Sequence, residues 1–586
     1  MNCKKMHFVY ATSLNLLVFL GTLLLLLGPG LCILLLKFRY QSPIKILSTS
    51  LVITLLILST ALILAANAEL DVRELLRYLS LFFGVAALIG MLIVGKRVTH
   101  IARELGLPLL IGLFTCGPIM FVAARADMAL GMSSSMNNDI ASYSAGTKAF
   151  LESGWIDFGK IAGLNMNEFV HYSTPFGSTG IMSLVSVAFD IKTFETTLIV
   201  ISIALLLYVL GAIQLYRAVH MSDKAKYLVP TILVATCSPI LNYIFSNYFL
   251  NQIFGIAFAL LITSSTLSII TSDRVEKLDI LQLSFATAVG VYFYPTLCLP
   301  FLLLVSIICT LNLLFKKRDK NFKGYRNFGI ALAFGLVMTI PYLGISIDIA
   351  MSQSNAIAGW SLPSLNPFSI FLFPQLIGLE FSWYLVAFSW VSFGTLICLV
   401  LRDHIKKKKI SFVSIGFLLI PAALTIGLMS TKSLGIHEYQ AWKSLTFFLP
   451  FAIIGVLPHI FSALKQGTLV ATVLATIVAI APITEWTLAQ GRSTILNQDL
   501  TEIARDPNLA RVENLNVRLG NYFESMAVSS LLETQKLYFN NFTYWPQTND
   551  ANACTLVRND SNYGEYLVSK INETYSLVSA QKGGCI

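Results

Sequence analysis

Long hydrophobic runs separated by short polar connectors recur along the whole chain. Runs of roughly 18 to 25 residues, at about 1.5 Å per residue, can cross a hydrocarbon core of about 30 Å. Backbone polar groups must be paired inside lipid, so each run is predicted to be a helix. The shorter apolar stretch Phe176–Ile191 is predicted to be a re-entrant or interfacial helix. About fourteen spans are predicted, at residues 10–36, 47–66, 77–95, 108–124, 195–215, 227–244, 251–271, 279–297, 298–315, 328–349, 383–401, 411–429, 444–463 and 468–487.

Lys and Arg are concentrated in alternate connectors, which are therefore predicted to face the cytoplasm. The opposite, extracytoplasmic face is predicted to hold 125–194, 245–250, 350–382, 430–443 and the tail after 488. A single first helix would place the N-terminus, with Lys4 and Lys5, outside. A hairpin at Gly28-Pro29-Gly30 would remove that conflict, because Gly and Pro interrupt helices.

The spans and loops predict an all-α polytopic membrane bundle with a small α/β extracytoplasmic C-terminal domain. The predicted parts are N-terminal transmembrane helices in 1–124, an extracytoplasmic loop in 125–194, a transmembrane bundle in 195–489 and the C-terminal domain in 490–586. Outer loops at 350–382 and 430–443 belong to the bundle. The composition agrees, since 55% of residues are hydrophobic, 12% are charged and the mean hydropathy is +0.71.

The net charge of +10 does not indicate nucleic-acid binding, because the basic residues fall in connectors between spans. Most of the nine cysteines lie in hydrophobic runs and are interpreted as small apolar side chains. Cys554 and Cys585 instead lie in the polar tail. They are candidates for a disulfide if that tail is outside the cytoplasm.

The polar stretch 125–173 is the first long segment able to stand in water, and Asp139 is its sharpest candidate for chemistry. Asp139 follows Asn138 shortly after a predicted span, and Tyr143 lies one helical turn later. A carboxylate near the lipid surface could orient and deprotonate an acceptor hydroxyl while a donor stays anchored in the bilayer. The alternative is that Asn138 and Asp139 cap a helix over 140–153.

Glu168 and His171 are three residues apart in the same stretch, so a helix would place them on one face. That face could bind metal, shuttle protons or hold an acceptor sugar. A solvated pair is the structural alternative, and with no third ligand in view no metal site is predicted.

A third candidate group is the outer loop 435–443, where His437 and Glu438 precede Lys443. An ammonium at the membrane boundary can meet a lipid phosphate, and Arg125 at the end of the fourth predicted span could do the same. Simple anchoring by Lys and aromatic side chains is the alternative. Amides including Asn251 and Gln252 are predicted to face a cavity or bind a neighbouring helix.

Several motifs of soluble enzymes do not occur in the sequence. It has no phosphate-binding Gly-rich loop, no ligand spacing typical of a zinc site and no G-x-S-x-G nucleophile motif. Cytosolic nucleotide chemistry is therefore not indicated. Any donor must already be in the membrane.

The chain resembles the GT-C superfamily of integral-membrane glycosyltransferases. The likeness consists of many helices, the acidic Asn138-Asp139 in an early outer loop, partly amphipathic loop helices and a small outer C-terminal domain. It is also similar to bacterial multi-pass proteins with Pro29-Gly30, Tyr294-Pro295 and Trp442-Lys443 at these places. The resemblance implies a polyprenyl-phosphate-linked sugar donor, Asp139 as base, and no cofactor beyond the lipid, with a divalent cation optional. Many members place this carboxylate directly after the first helix, whereas here about three further spans precede it.

The leading hypothesis is an inverting transferase of a bacterial cytoplasmic (inner) membrane, acting on a cell-surface glycan or lipid acceptor. In it, Lys443 or Arg125 neutralises the donor phosphate and Asp139 activates the acceptor. A transporter or flippase of lipid-linked oligosaccharide would instead require charges deep within spans. An O-antigen-type polymerase would be expected to use arginines in large outer loops, and Arg125 is the only one in the early loop.

Overall fold

The structure is a computed structural model, and it describes the larger part of the chain before residue 500. The described residues are 2–38, 42–68, 70–94, 106–112, 143–151, 176–220, 222–238, 241, 244–245, 249–272, 275–315, 322–356, 398, 416–417 and 438–489, with single gaps in some ranges. After residue 500 they are mainly 514–519, 531–532, 536–539, 553–559, 567–570 and 574–579, with some single residues.

The described part contains twelve helices of ten residues or more. They are α1 (Asn2–Phe38), α2 (Pro43–Asn67), α3 (Val72–Val94), α4 (Phe176–Phe189), α5 (Thr197–Val219), α6 (Leu228–Cys237), α7 (Leu250–Thr271), α8 (Lys277–Phe293), α9 (Pro295–Phe315), α10 (Phe322–Ala356), α11 (Glu438–Ala463) and α12 (Gly467–Ala489).

Within the described ranges, eight of these helices are long and apolar enough to cross a membrane, and each coincides with a predicted span. The chain is a multi-pass membrane protein built as a helical bundle, as predicted. The spans predicted at 108–124, 383–401 and 411–429 lie largely outside the described residues, so the total of fourteen stays a prediction.

One predicted span is shorter than expected. The hydrophobic run 227–244 gives helix α6, which ends at Cys237 after ten residues. Ser238 is in an extended conformation with ψ 145°, since the following Pro239 disfavours the helical region in the residue before it. The predicted short helix at Phe176–Ile191 is present as α4, which has 14 residues.

Helices α5 and α7 form the centre of the bundle and pack against each other. α5 is buried along its whole membrane-spanning length and α7 along almost all of it. α3 lies at the periphery, where Leu81, Phe82 and Leu92 are exposed. Large apolar side chains on an outer helix are the expected lipid contacts of a membrane bundle.

The hairpin considered at Gly28-Pro29-Gly30 does not form, because α1 is one continuous helix with Pro29 inside it, in agreement with the predicted span 10–36. The two glycines instead allow close helix packing. A Cβ on Gly28 would lie 2.6 Å from backbone atoms of Phe83 and Ala87 in α3, and a Cβ on Gly30 would lie 2.3 Å from backbone atoms of Ser50 in α2. Small residues at helix crossings let membrane helices approach in this way.

The basic connectors that follow α1, α5 and α7 meet at one end of the bundle, called here the basic end. Lys45 at the start of α2 places its Nζ 2.9 Å from Glu276 Oε2 and 2.9 Å from Asp279 Oδ1 at the start of α8. Gln214 near the end of α5 donates a hydrogen bond of 2.6 Å to Ser48 Oγ of α2. The opposite end, which holds the first turns of α4, α7 and α11, is called the loop end. The compartment that each end faces stays a prediction.

The C-terminal part contains a five-stranded mixed sheet in the order β2-β1-β3-β5-β4. The strands are β1 (Asn514–Arg518), β2 (Lys536–Phe539), β3 (Cys554–Arg558), β4 (Leu567–Lys570) and β5 (Tyr575–Ser579). β1 pairs in parallel with β2 and β3, whereas β5 pairs antiparallel with β3 and β4. A small sheet follows the membrane helices, as predicted.

Cysteines behave in two ways in the described part of the chain. Cys237, Cys298 and Cys309 are buried in or next to the membrane helices and form no disulfide, in agreement with their interpretation as apolar side chains. Cys554 in β3 is disulfide-bonded. Its expected partner Cys585 lies outside the described residues, so that pairing stays a prediction.

Candidate functional site

Two of the predicted site residues, Tyr143 and Lys443, have described side chains. Glu438 begins helix α11, but nothing is described of its side chain. The other site candidates lie outside the described residues: Arg125, Asn138, Asp139, Glu168, His171 and His437.

Tyr143 lies four residues after Asp139 in the sequence, and the described helical residues of 143–151 are called here segment 143–151. Tyr143 is buried, and its hydroxyl accepts a long hydrogen bond of 3.5 Å from the backbone N–H of Asn251. Thr147 Oγ1 donates a bond of 2.7 Å to the Tyr143 carbonyl. The chain that leaves the candidate base is therefore held against the first turn of α7.

Two further contacts fix segment 143–151. Ser144 Oγ lies 3.1 Å from Thr193 Oγ1, just before α5. Lys148 is buried, and its Nζ donates a bond of 2.8 Å to the carbonyl of Leu532 in the C-terminal part. The segment therefore lies between the membrane helices and the C-terminal domain. The sequence did not single out Lys148, since a lone lysine in a loop is expected to be exposed to water.

Lys443 lies in the second turn of α11 and is partly buried. Its Nζ is 5.9 Å from the ring centroid of Tyr294, the residue between α8 and α9. That distance is within the range of a cation–π attraction, worth about 0.5–1 kcal/mol at an exposed site. The sequence singled out Lys443 and the Tyr294-Pro295 break separately, and the structure brings them together.

The Tyr294 ring is itself placed by helix α7. Tyr294 is buried, and a Cβ on Gly255 would lie 2.8 Å from its Cδ1 and 2.9 Å from its Cβ. Only glycine leaves room for the ring at this place. Sequence reasoning missed Gly255, because a glycine in a hydrophobic span has no distinguishing pattern.

Asn251 and Gln252 in the first turn of α7 bind two different neighbours. Asn251 Oδ1 accepts a bond of 3.4 Å from the backbone N–H of Ser178 at the start of α4. Gln252 Nε2 donates to Thr446 Oγ1 of α11. Both amides are buried, and both bind neighbouring elements, which is one of the two roles predicted for them.

Thr446 extends the contact from α7 to the backbone of Lys443. Its Oγ1 accepts from Gln252 and donates a bond of 2.8 Å to the Lys443 carbonyl. One turn of α7 is thus bonded both to the segment that follows Asp139 and to the turn that holds Lys443. The first turn of α7 therefore fixes Tyr143 and the turn that carries Lys443 relative to each other.

The described residues hold no group suited to a metal ion, and three of the described spans carry no charge in their interior. No group of three His, Cys, Asp or Glu side chains is placed there to hold a metal ion. The sequences of α7 and α9 contain no charged residue, and the Arg217 of α5 lies in its last turn. Charges deep in the spans, which a carrier would need, do not occur in these three helices.

No protein-family model and no curated protein matches the chain. Solved structures with a similar overall arrangement include an oligosaccharyltransferase of Archaeoglobus fulgidus, in complex with zinc and sulfate. It is 11% identical, with a TM-score of 0.47 over 77% of this chain and 68% of that chain. ArnT of Cupriavidus metallidurans, bound to undecaprenyl phosphate, is 10% identical, with a TM-score of 0.42 over 83% of this chain and 98% of that chain. At these scores the likeness implies nothing about what this chain binds.

Proposed function

We propose that the chain is a membrane glycosyltransferase. It transfers a sugar from a polyprenyl-phosphate-linked donor to a glycan or lipid acceptor of the cell surface. The reaction takes place at the loop end of the bundle, on the extracytoplasmic face of a bacterial cytoplasmic membrane. The C-terminal domain 490–586 lies on that same face.

The observation that supports this proposal most directly is the shared attachment of two sequence-predicted segments to α7. The Asn251 N–H is 3.5 Å from the hydroxyl of Tyr143, which lies four residues after Asp139. The next residue, Gln252, donates a hydrogen bond to Thr446, which lies three residues after Lys443. The two segments are more than 290 positions apart in the chain. A base and a phosphate-binding cation must be held close together in a transferase, whereas capping and lipid anchoring require no such link.

In the proposed reaction an acceptor hydroxyl oxygen attacks the anomeric carbon of the donor sugar, and the bond from that carbon to the phosphate oxygen breaks. The hydroxyl proton passes to the Asp139 carboxylate. The polyprenyl phosphate leaves as an anion. Lys443 or Arg125 stabilises the charge that develops on it, and such electrostatic stabilisation is commonly the largest contribution to catalysis.

The remaining candidates are assigned to substrate binding. The candidates Asn138, Tyr143, Glu168 and His171 are assigned to the acceptor. His437 and Glu438, which precede Lys443, are assigned to the donor. No step of the reaction requires a metal ion. The described residues offer no metal site, and a divalent cation stays optional.

The test is the variant Asp139→Asn in proteoliposomes of the full chain. The donors are a panel of radiolabelled polyprenyl phosphate sugars, and the acceptors are lipid and glycan extracts of bacterial envelopes. Release of free polyprenyl phosphate is measured by mass spectrometry, so the acceptor need not be known. Transfer should fall by about 100-fold or more, because a positioned general base contributes about 10²–10⁴-fold.

A matched control is Asp190→Asn, in the turn after α4. Asp190 is exposed and has a φ of 51°, a conformation that Asn adopts as readily as Asp. This variant should transfer sugar at the wild-type rate. Full activity of Asp139→Asn, with normal elution and melting of the protein, would rule out the proposed base. Movement of labelled lipid across the bilayer without release of polyprenyl phosphate would favour a flippase.

A further inference from the structure

The first turn of α7 forms a two-bond chain that ends on the backbone of Lys443. Gln252 Nε2–H donates to Thr446 Oγ1, and the Thr446 hydroxyl donates to the Lys443 carbonyl over 2.8 Å. The hydroxyl is used as acceptor and donor at once. Both Gln252 and Thr446 are buried, so these bonds do not compete with water.

The same helix also places the ring below the ammonium of Lys443. Gly255 lies three residues after Gln252 and faces Tyr294, whose ring centroid is 5.9 Å from Lys443 Nζ. Residues three apart share one face of a helix. One face of α7 therefore determines both the backbone position of Lys443 and the aromatic surface over which its side chain lies.

From these contacts we infer that Gln252 and Thr446 are positioning residues, which set the place of Lys443 for a polyprenyl phosphate. This inference rests on the proposed function, since it assigns that phosphate to Lys443. Neither residue touches the ligand. They act by fixing the turn of α11 from which the ammonium projects.

If Gln252 and Thr446 had a purely structural role, variants of them would change stability but not ligand affinity. Gln214 and Ser48 form an equivalent bond at the basic end, in which Gln214 Nε2 donates to Ser48 Oγ over 2.6 Å between α5 and α2. Both are buried, as are Gln252 and Thr446. If such bonds only hold helices together, breaking either one lowers stability and leaves ligand affinity alone. If Gln252 and Thr446 position Lys443, only their bond affects affinity.

The experiment measures binding of a polyprenyl phosphate to the purified full chain in detergent, with the uncharged polyprenol as the control ligand. The variants are Thr446→Val, which keeps the shape but removes the hydroxyl, and Thr446→Ser, which restores it. Lys443→Ala and Gln214→Leu complete the set. Melting temperature is recorded for each, so that affinity is compared at known stability.

Lys443→Ala should weaken phosphate binding by about tenfold or more, the loss expected when a charged partner is removed. Thr446→Val should weaken it by about three- to tenfold, and Thr446→Ser should restore most of that loss. Gln214→Leu should lower the melting temperature without changing affinity. Polyprenol binding should be the same in all variants.

Two results would overturn the inference, and they differ from each other. If Lys443→Ala weakens binding while Thr446→Val does not, the positioning role is wrong and the proposed donor site stands. If the wild-type chain binds polyprenyl phosphate no better than polyprenol, the proposed function itself fails and the positioning role fails with it.

Discussion

Lys148 Nζ donates a hydrogen bond of 2.8 Å to the backbone carbonyl of Leu532, and both residues are buried. The bond joins segment 143–151 to the C-terminal part across 384 positions of the chain. The segment that follows the candidate base is therefore supported on one side by α7 and on the other by the C-terminal domain. This domain is thus part of the structure that holds the loop end together.

Replacing Lys148 with Met should loosen the C-terminal domain. Met preserves the apolar stem but leaves the Leu532 carbonyl without this donor, which should cost about 1–3 kcal/mol. Limited proteolysis should cut the C-terminal region faster in the Lys148→Met variant. The matched control is Lys465→Met, because Lys465 is exposed in the turn between α11 and α12 and should tolerate the change. Equal cleavage rates in the two variants would contradict the docking role.

The packing of α1 depends on Gly30. A Cβ at this position would lie 2.3 Å from the backbone of Ser50, and the backbone of α2 cannot rotate away as a side chain could. Gly30→Ala should therefore cost more than about 3 kcal/mol, above the usual cost of an extra methyl group in a packed interior. The measurement is the yield of monodisperse protein extracted from membranes, together with its melting temperature.

Gly329 in α10 supplies the control for this substitution. Among the described residues, no atom apart from the adjacent residues and the local backbone of α10 lies within 4 Å of a Cβ built on Gly329, so Gly329→Ala should give wild-type yield. Alanine is the better helix former by about 1 kcal/mol, and a small gain in stability is expected. Loss of protein in both variants would mean that any added methyl group on a helix is harmful. The close approach of α1 and α2 would then not be the cause.

The helices of the fold were predictable because their signal is local. A run such as 250–271 is apolar along its whole length, and the need to pair backbone groups in lipid leaves only a helix. Whether Pro29 divides the run 10–36 could not be decided from the sequence, since proline breaks helices in water but is tolerated where neighbouring helices complete the packing. Only the positions of Phe83 and Ser50 show what Gly28 and Gly30 are for.

The candidate site was predictable only in part, because its contacts are long-range. Lys443 was recognisable as a lysine on the face that is poor in Lys and Arg. Tyr294 was recognisable because it precedes Pro295 inside a hydrophobic run. Nothing in the sequence shows that Lys443 Nζ lies 5.9 Å from the centroid of the Tyr294 ring. The donation from Gln252 to Thr446 joins residues 194 positions apart, and no local pattern encodes such a pair.

The ion pairs at the basic end differ in burial, and this difference predicts unequal effects of neutralising their acids. Lys45 pairs with Asp279, whose side chain is 4% exposed, and with Glu276, whose side chain is 41% exposed. Asp279→Asn leaves a largely buried ammonium with only a solvated partner, and breaking buried pairs costs about 3–5 kcal/mol. Glu276→Gln should cost less than about 1 kcal/mol, as exposed pairs do.

The double variant Lys45→Met with Asp279→Leu separates two effects on stability. One is the cost of burying an unpaired charge, and the other is the net stabilisation that the ion pair provides. Replacing both partners with apolar residues of similar volume is often neutral or stabilising in a protein interior. The double variant should therefore melt at a higher temperature than Asp279→Asn alone, and close to the wild type. Thermal unfolding of the purified protein in detergent provides the measurement. A double variant less stable than Asp279→Asn would show that the pair itself stabilises the junction of α2 and α8, beyond avoiding a buried unpaired ammonium.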